Sequence, residues 1–170
     1  MIKSFLSVLL CTLLLAGIAT TAPAQDTSNG ALIAYEHGPG ALQIFDEEGR
    51  ANTPEWVQHW LMVMLGSFAL GLVFVWKKIE ARWVVGGIVA TFVAVQILVK
   101  AFGLLPLGGL LALVHIVTWS PALYILLTRR PFLAKPGFYS LWSGWITAVI
   151  LFSFVFDIPD ALTYLQHMLG

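Results

Sequence analysis

The sequence predicts an all-α integral membrane protein: a four-helix transmembrane bundle with a short outer amphipathic helix at its C-terminus. Three observations lead there. The 170 residues are 59% hydrophobic and 11% charged, against about 45–50% and about 25% in soluble domains. The apolar residues gather into four runs, 56–76, 83–99, 107–127 and 138–156, each within the roughly 17–25 residues that cross a bilayer as a helix. Basic residues fill alternate connections: Lys77, Lys78 and Arg82, then Arg129, Arg130 and Lys135, with Lys100 alone between the second and third runs.

Residues 1–24 read as a cleavable signal peptide. Lys3 supplies the positive start, residues 5–18 the apolar stretch, and Ala22-Pro23-Ala24 the small-x-small cleavage site, leaving Gln25 as the new N-terminus. The alternative is an uncleaved signal anchor, and both place residue 25 outside. Cys11 follows Leu10 where a lipoprotein signal needs a small residue, so a lipid anchor is rejected. It is the single cysteine and lies in the removed segment, so the mature chain would hold no disulfide, thiolate metal site or thioether-linked haem.

Residues 25–55 form a short acidic segment, with Asp26, Glu36, Asp46, Glu47, Glu48 and Glu55 against Arg50. Two short apolar runs, 31–36 and 41–45, flank the turn-forming His37-Gly38-Pro39-Gly40. A small hairpin on the outer rim is one expectation and partial disorder the other, since a lone hairpin is marginal.

The positive-inside rule puts the two basic loops in the cytoplasm, in agreement with export of the N-terminus. The expected location is a bacterial-type inner membrane, multi-pass, with both mature termini periplasmic. Trp56, Trp60, Trp76, Trp83, Trp142 and Trp145 fall near span ends and read mostly as interface anchors. Small residues recur four apart: Ser67 and Gly71; Gly86, Ala90 and Ala94; Gly108 and Ala112; Ser140, Gly144 and Ala148. Such stripes let membrane helices approach closely. After Asp157-Ile158-Pro159-Asp160, residues 157–170 mix apolar and polar side chains at helical spacing, the expected amphipathic tail, with Pro159 in its first turn.

Polar residues inside spans are costly and mark function by default. They are His59, Gln96, Lys100, His115 and Asp157, all expected in the outer half of the bilayer. His115 shares a helical face with Gly108, Ala112, Trp119 and Ala122, so it should point into the bundle, with Gln96 and Thr118 as candidate partners. It is either a structural histidine or a ligand or proton relay. His59, beside Trp56 and Trp60, is either interfacial or half of a bis-histidine pair with His115 holding haem b. A depth mismatch of roughly 7 Å counts against that pairing, and helix tilt would absorb part of it. Lys100 and Asp157 either pair at the outer rim or sit apart in headgroup water. His37 and His167 read as solvent-facing or, with the acidic segment, as weak ligands of a divalent cation, with spacing that matches no specific metal site. Pro121 lacks the N–H that would meet the Val117 carbonyl, so a kink is expected there, with Ser120 or water meeting the freed acceptor.

No nucleophile elbow, HExxH, P-loop or dinucleotide fingerprint occurs. Zero net charge and the lack of a basic block argue against nucleic acid. The expected partners are the lipid bilayer and other membrane subunits or further copies of the chain. Four functions stay open: a non-enzymatic accessory or assembly subunit, a haem-carrying redox subunit, a proton- or ion-conducting protein, and an enzyme acting on lipid, for which no residue set nominates itself.

Overall fold

A computed structural model of the chain describes residues 40–46, 49 and 53–169. The signal-peptide segment, the 31–36 run and His37 lie outside the described residues. Four helices are long and apolar enough to cross a membrane. They are α1 (Glu55–Leu70, extended by a 3-10 turn at Gly71–Val73), α2 (Ile79–Lys100), α3 (Gly108–Arg129) and α4 (Phe138–Leu169). α4 packs most extensively on α3, α3 then packs on α2, and α1 leans on α4 and α2.

The helices form where apolar runs of sufficient length are bounded by glycine, proline or charge. Gly103 takes φ +65° in the α2–α3 connection, a conformation glycine adopts without a Cβ clash. Arg130 ends α3 in the left-handed region at φ 48°, and Pro131, which disfavours an α-helical residue before it, starts a 3-10 turn over Pro131–Leu133.

α4 differs from the expected span followed by a separate tail. It is one 32-residue helix running straight through Pro159, about 48 Å at 1.5 Å per residue. That exceeds the hydrocarbon thickness of about 30 Å. The residues after Asp157 do not lie apart. Tyr164 and Ala161 are buried, and Tyr164 forms a second apolar cluster with Leu107 and Leu110, against which Leu42, Ile44 and Leu98 pack. The described part of the acidic segment joins this cap. Phe45 N–H donates to the Pro106 carbonyl at 2.8 Å, and Gly108 N–H donates to Gln43 O at 2.9 Å. Residues 41–45 thus pair with the α2–α3 connection, and one otherwise orphaned donor at the start of α3 is satisfied.

The main core lies deeper, where Phe68 (α1), Val84 (α2), Trp119 and Leu126 (α3), and Trp142, Ile146 and Ile150 (α4) meet. Only 17% of the most apolar window of α2 is buried within the protein. Val117, Tyr124, Leu141 and Val155 are exposed, so lipid covers the rest. The packing face of α2 is a correction to the sequence reading: Gly86 and Ala90 point outward, and Gly87 and Thr91 face α3. The Ser67–Gly71 and Gly108–Ala112 stripes do face inward, with Gly71 against the Trp142 ring, Gly108 against the Gly40 carbonyl and Ala112 buried.

Candidate functional site

The candidate site is a polar string joining three helices beneath the cap. Its member nearest the cap is a pair: His115 Nδ1 of α3 lies 3.5 Å from Asp157 Oδ2 of α4. Their side chains are 22% and 16% exposed, and Oδ2 itself is shielded from solvent and accepts no hydrogen bond. The imidazole stacks on Trp119, with centroids 4.3 Å apart and planes 16° from parallel. One face of the ring is therefore covered and one edge is turned to a carboxylate.

The string continues inward through Trp119, which is fully buried. An indole N–H deep in a bilayer needs a partner, and it donates to Thr91 Oγ1 of α2 at 2.9 Å. Thr91 and Thr118 share a hydrogen bond at 2.7 Å. Thr118 Oγ1 also reaches the Val114 carbonyl at 2.8 Å, and Thr91 Oγ1 reaches Gly87 O at 3.0 Å. Thr91, Thr118, Trp119, His115 and Asp157 thereby link α2, α3 and α4 through side-chain contacts.

Sequence reasoning turned His115 into the bundle and left Asp157 at the outer rim, paired with Lys100 or alone in headgroup water; the structure pairs the two with each other. Asp157 meets His115, and Lys100 is exposed. Gln96 is exposed as well, and the polar partner of His115 is Asp157. Thr118 reaches only the His115 carbonyl, at 3.5 Å. His59 is exposed on α1, in a shallow apolar groove shared with Trp56, Trp60, Val63 and Phe152, where Trp60 meets Phe152 edge-on at 4.6 Å. The two imidazoles thus occupy different surroundings, one open to the bilayer and one inside the bundle. Ser120 donates to the Ile116 carbonyl and not to Val117, and α3 continues across Pro121.

Two further polar junctions were missed. Trp142, expected at the interface, is buried and donates to the Ser67 carbonyl at 3.0 Å. Trp145 donates to Ser67 Oγ at 2.7 Å, which ties α4 to α1. At the basic end, Tyr139 OH donates to Glu80 Oε2 at 2.9 Å, and Arg129 pairs with Glu80 Oε1 at 3.6 Å. The signal was present: Glu80 is the one acidic residue between Trp76 and Phe138.

Among the described residues, no three or more His, Cys, Asp or Glu side chains gather in a group able to hold a metal ion. No family model, curated protein or solved structure matches this chain.

Proposed function

We propose that the chain is a non-enzymatic subunit of a bacterial-type inner membrane, serving the assembly or support of a larger membrane complex. On this reading the signal peptide is removed, the two basic loops face the cytoplasm, and the acidic segment and α4 C-terminus face the periplasm. What carries it is the use to which interior polar side chains are put. Thr91, Thr118, Trp119, Ser67, Trp142 and Glu80 each bond to a neighbouring helix or to their own backbone. Interhelical hydrogen bonds of this kind fix helix packing. The cap adds a surface at that end of the bundle, tied to the α2–α3 connection by backbone hydrogen bonds.

The test is native solubilisation in mild detergent after in-cell cross-linking. The expected result is a complex containing the chain and other membrane subunits at fixed ratio, whose level falls when the chain is deleted. A chain that migrates alone, with that complex unaffected by its deletion, would overturn the reading.

A second reading, a redox subunit carrying haem b, draws support from His115. Histidines that ligate metals commonly turn their second nitrogen to a carboxylate, as Nδ1 does here towards Asp157. An oxidised and dithionite-reduced absorption spectrum separates the readings. A Soret band lost in His115→Ala supports haem, and a colourless protein from haem-replete cells removes it.

A further inference from the structure

The basic end of the bundle gathers more positive charge than its internal pairing uses. Lys77, Lys78, Arg82, Arg129, Arg130 and Lys135 lie there with one carboxylate, Glu80. The other eight acidic residues fall at or before Glu55 or at or after Asp157. All six cationic residues are exposed, whereas Glu80 is buried.

The fold draws the two basic loops together around Tyr139. Its ring meets Phe74, just after the 3-10 turn that extends α1, at 5.1 Å. Its hydroxyl bonds Glu80, in the first turn of α2, at 2.9 Å. Glu80 reaches Arg129, the last residue of α3. Lys78 Nζ sits over the Tyr139 ring at 4.7 Å. Arg82 donates to the Val75 and Trp76 carbonyls at 2.8 and 3.2 Å. The single carboxylate is therefore consumed inside the junction. Among the described residues, Lys77, Arg130 and Lys135 form no ion pair with a carboxylate, and Arg130 Nε donates to the Leu127 carbonyl at 3.3 Å. Exposed Trp76, Trp83 and Phe138 flank them, and such rings favour the headgroup layer.

From this charge complementarity we infer that the Tyr139 junction is a binding site for the phosphate of an anionic phospholipid headgroup, held by Lys77, Arg130 and Lys135. The acyl chains lie on the apolar helix faces beneath it. A basic cluster beside a membrane helix attracts anionic lipid by about 1 kcal/mol per Lys or Arg, or roughly fivefold in affinity for each. The inference needs only membrane insertion. It stands or falls apart from the accessory-subunit reading.

The test titrates phosphatidylglycerol or phosphatidylcholine into the full chain in mild detergent and counts retained lipids by native mass spectrometry. Phosphatidylglycerol should be retained selectively. The triple variant Lys77→Gln/Arg130→Gln/Lys135→Gln should weaken it on the order of a hundredfold, while Lys100→Gln, at the other end, leaves it unchanged. All three side chains are exposed, so the triple variant should unfold at the wild-type temperature in lipid-free detergent, which excludes a folding defect. Equal retention of the two lipids, or a triple variant that retains phosphatidylglycerol like the wild type, overturns the inference. So does displacement of the lipid by millimolar inorganic phosphate, which would make this a site for free phosphate.

Discussion

His115 Nδ1 and Asp157 Oδ2 stand 3.5 Å apart between α3 and α4, so the carboxylate that sequence spacing assigns to a helix end is an interior group with a histidine for its partner. α4 runs on for a further three turns beyond it. Replacing His115 by Leu leaves the shielded Oδ2 facing an aliphatic side chain. The 3.5 Å contact is electrostatic and not a hydrogen bond, and removing one partner of a buried charge pair leaves the other uncompensated, so His115→Leu should lower the unfolding temperature in detergent by several degrees. Asp157→Asn/His115→Leu, which removes the charge as well, should recover part of the loss. A His115→Leu protein as stable as wild type would show that the pair contributes nothing. His115→Leu is also expected to do more damage than His37→Leu in a complementation assay.

Thr91 accepts from Trp119 and shares a hydrogen bond with Thr118. Thr91→Val keeps the volume and removes these bonds together with the one to the Gly87 carbonyl, so any loss belongs to hydrogen bonding and not to a cavity. Interhelical bonds in membranes average about 0.6 kcal/mol. A fully buried indole N–H left unpaired adds to that, for an expected total of about 1–2 kcal/mol. Thr91→Ser should be near neutral. Thermal unfolding followed by tryptophan fluorescence reads both variants, and equal losses in the two would refute the assignment.

At the basic end, two interactions converge on Glu80 and should differ in strength. Arg129 is 59% exposed in its pair, and exposed pairs contribute about 0–1 kcal/mol. The Tyr139 hydroxyl donates to a carboxylate that is only 12% exposed, a charge-assisted bond of about 1.5–3 kcal/mol. Tyr139→Phe should therefore destabilise more than Arg129→Gln. The opposite order in urea or thermal unfolding would place the anchor in the ion pair.

The four spans were legible because each is a long, predominantly apolar run free of charged residues, and length distinguishes such runs from soluble core segments. His115 was legible as an inward histidine because Ala112, Trp119 and Ala122 recur on its face. Its partner was not. Pro159 suggested a break, and a broken helix would have put Asp157 at the rim beside Lys100. The helix instead continues because Tyr164 and Ala161 find apolar surface under the cap. Thr91 was passed over and Thr118 was weighed only as a partner for His115, because a hydroxyl mid-span can bond its own i−4 carbonyl and need not signal a contact. Trp119 carried the usable clue, since a tryptophan far from either interface must find an acceptor. The α2 stripe failed for another reason: Gly86 and Gly87 are adjacent, and spacing alone cannot say which one faces α3.

That ambiguity gives the sharpest test of the packing. A Cβ built on Gly109 would stand 2.5 Å from Tyr164 Cβ, 2.6 Å from the Asp160 carbonyl and 2.9 Å from the Ala41 carbonyl. Two of those three atoms are backbone and cannot swing aside, so Gly109→Ala must separate α3 from α4 and from the capping segment. Overpacking of this kind costs about 1–3 kcal/mol. A Cβ on Gly86 meets nothing within 4 Å, and alanine favours a helix over glycine by about 1 kcal/mol. Gly109→Ala should therefore lower the unfolding temperature while Gly86→Ala leaves it unchanged or raises it. Because Gly109 is the point where the cap meets α4, its variant should also become more open to proteolysis near residues 40–46. If Gly86→Ala proves the more damaging of the two, α2 packs through the stripe that sequence spacing suggests, and the contact between Gly87 and α3 is wrong.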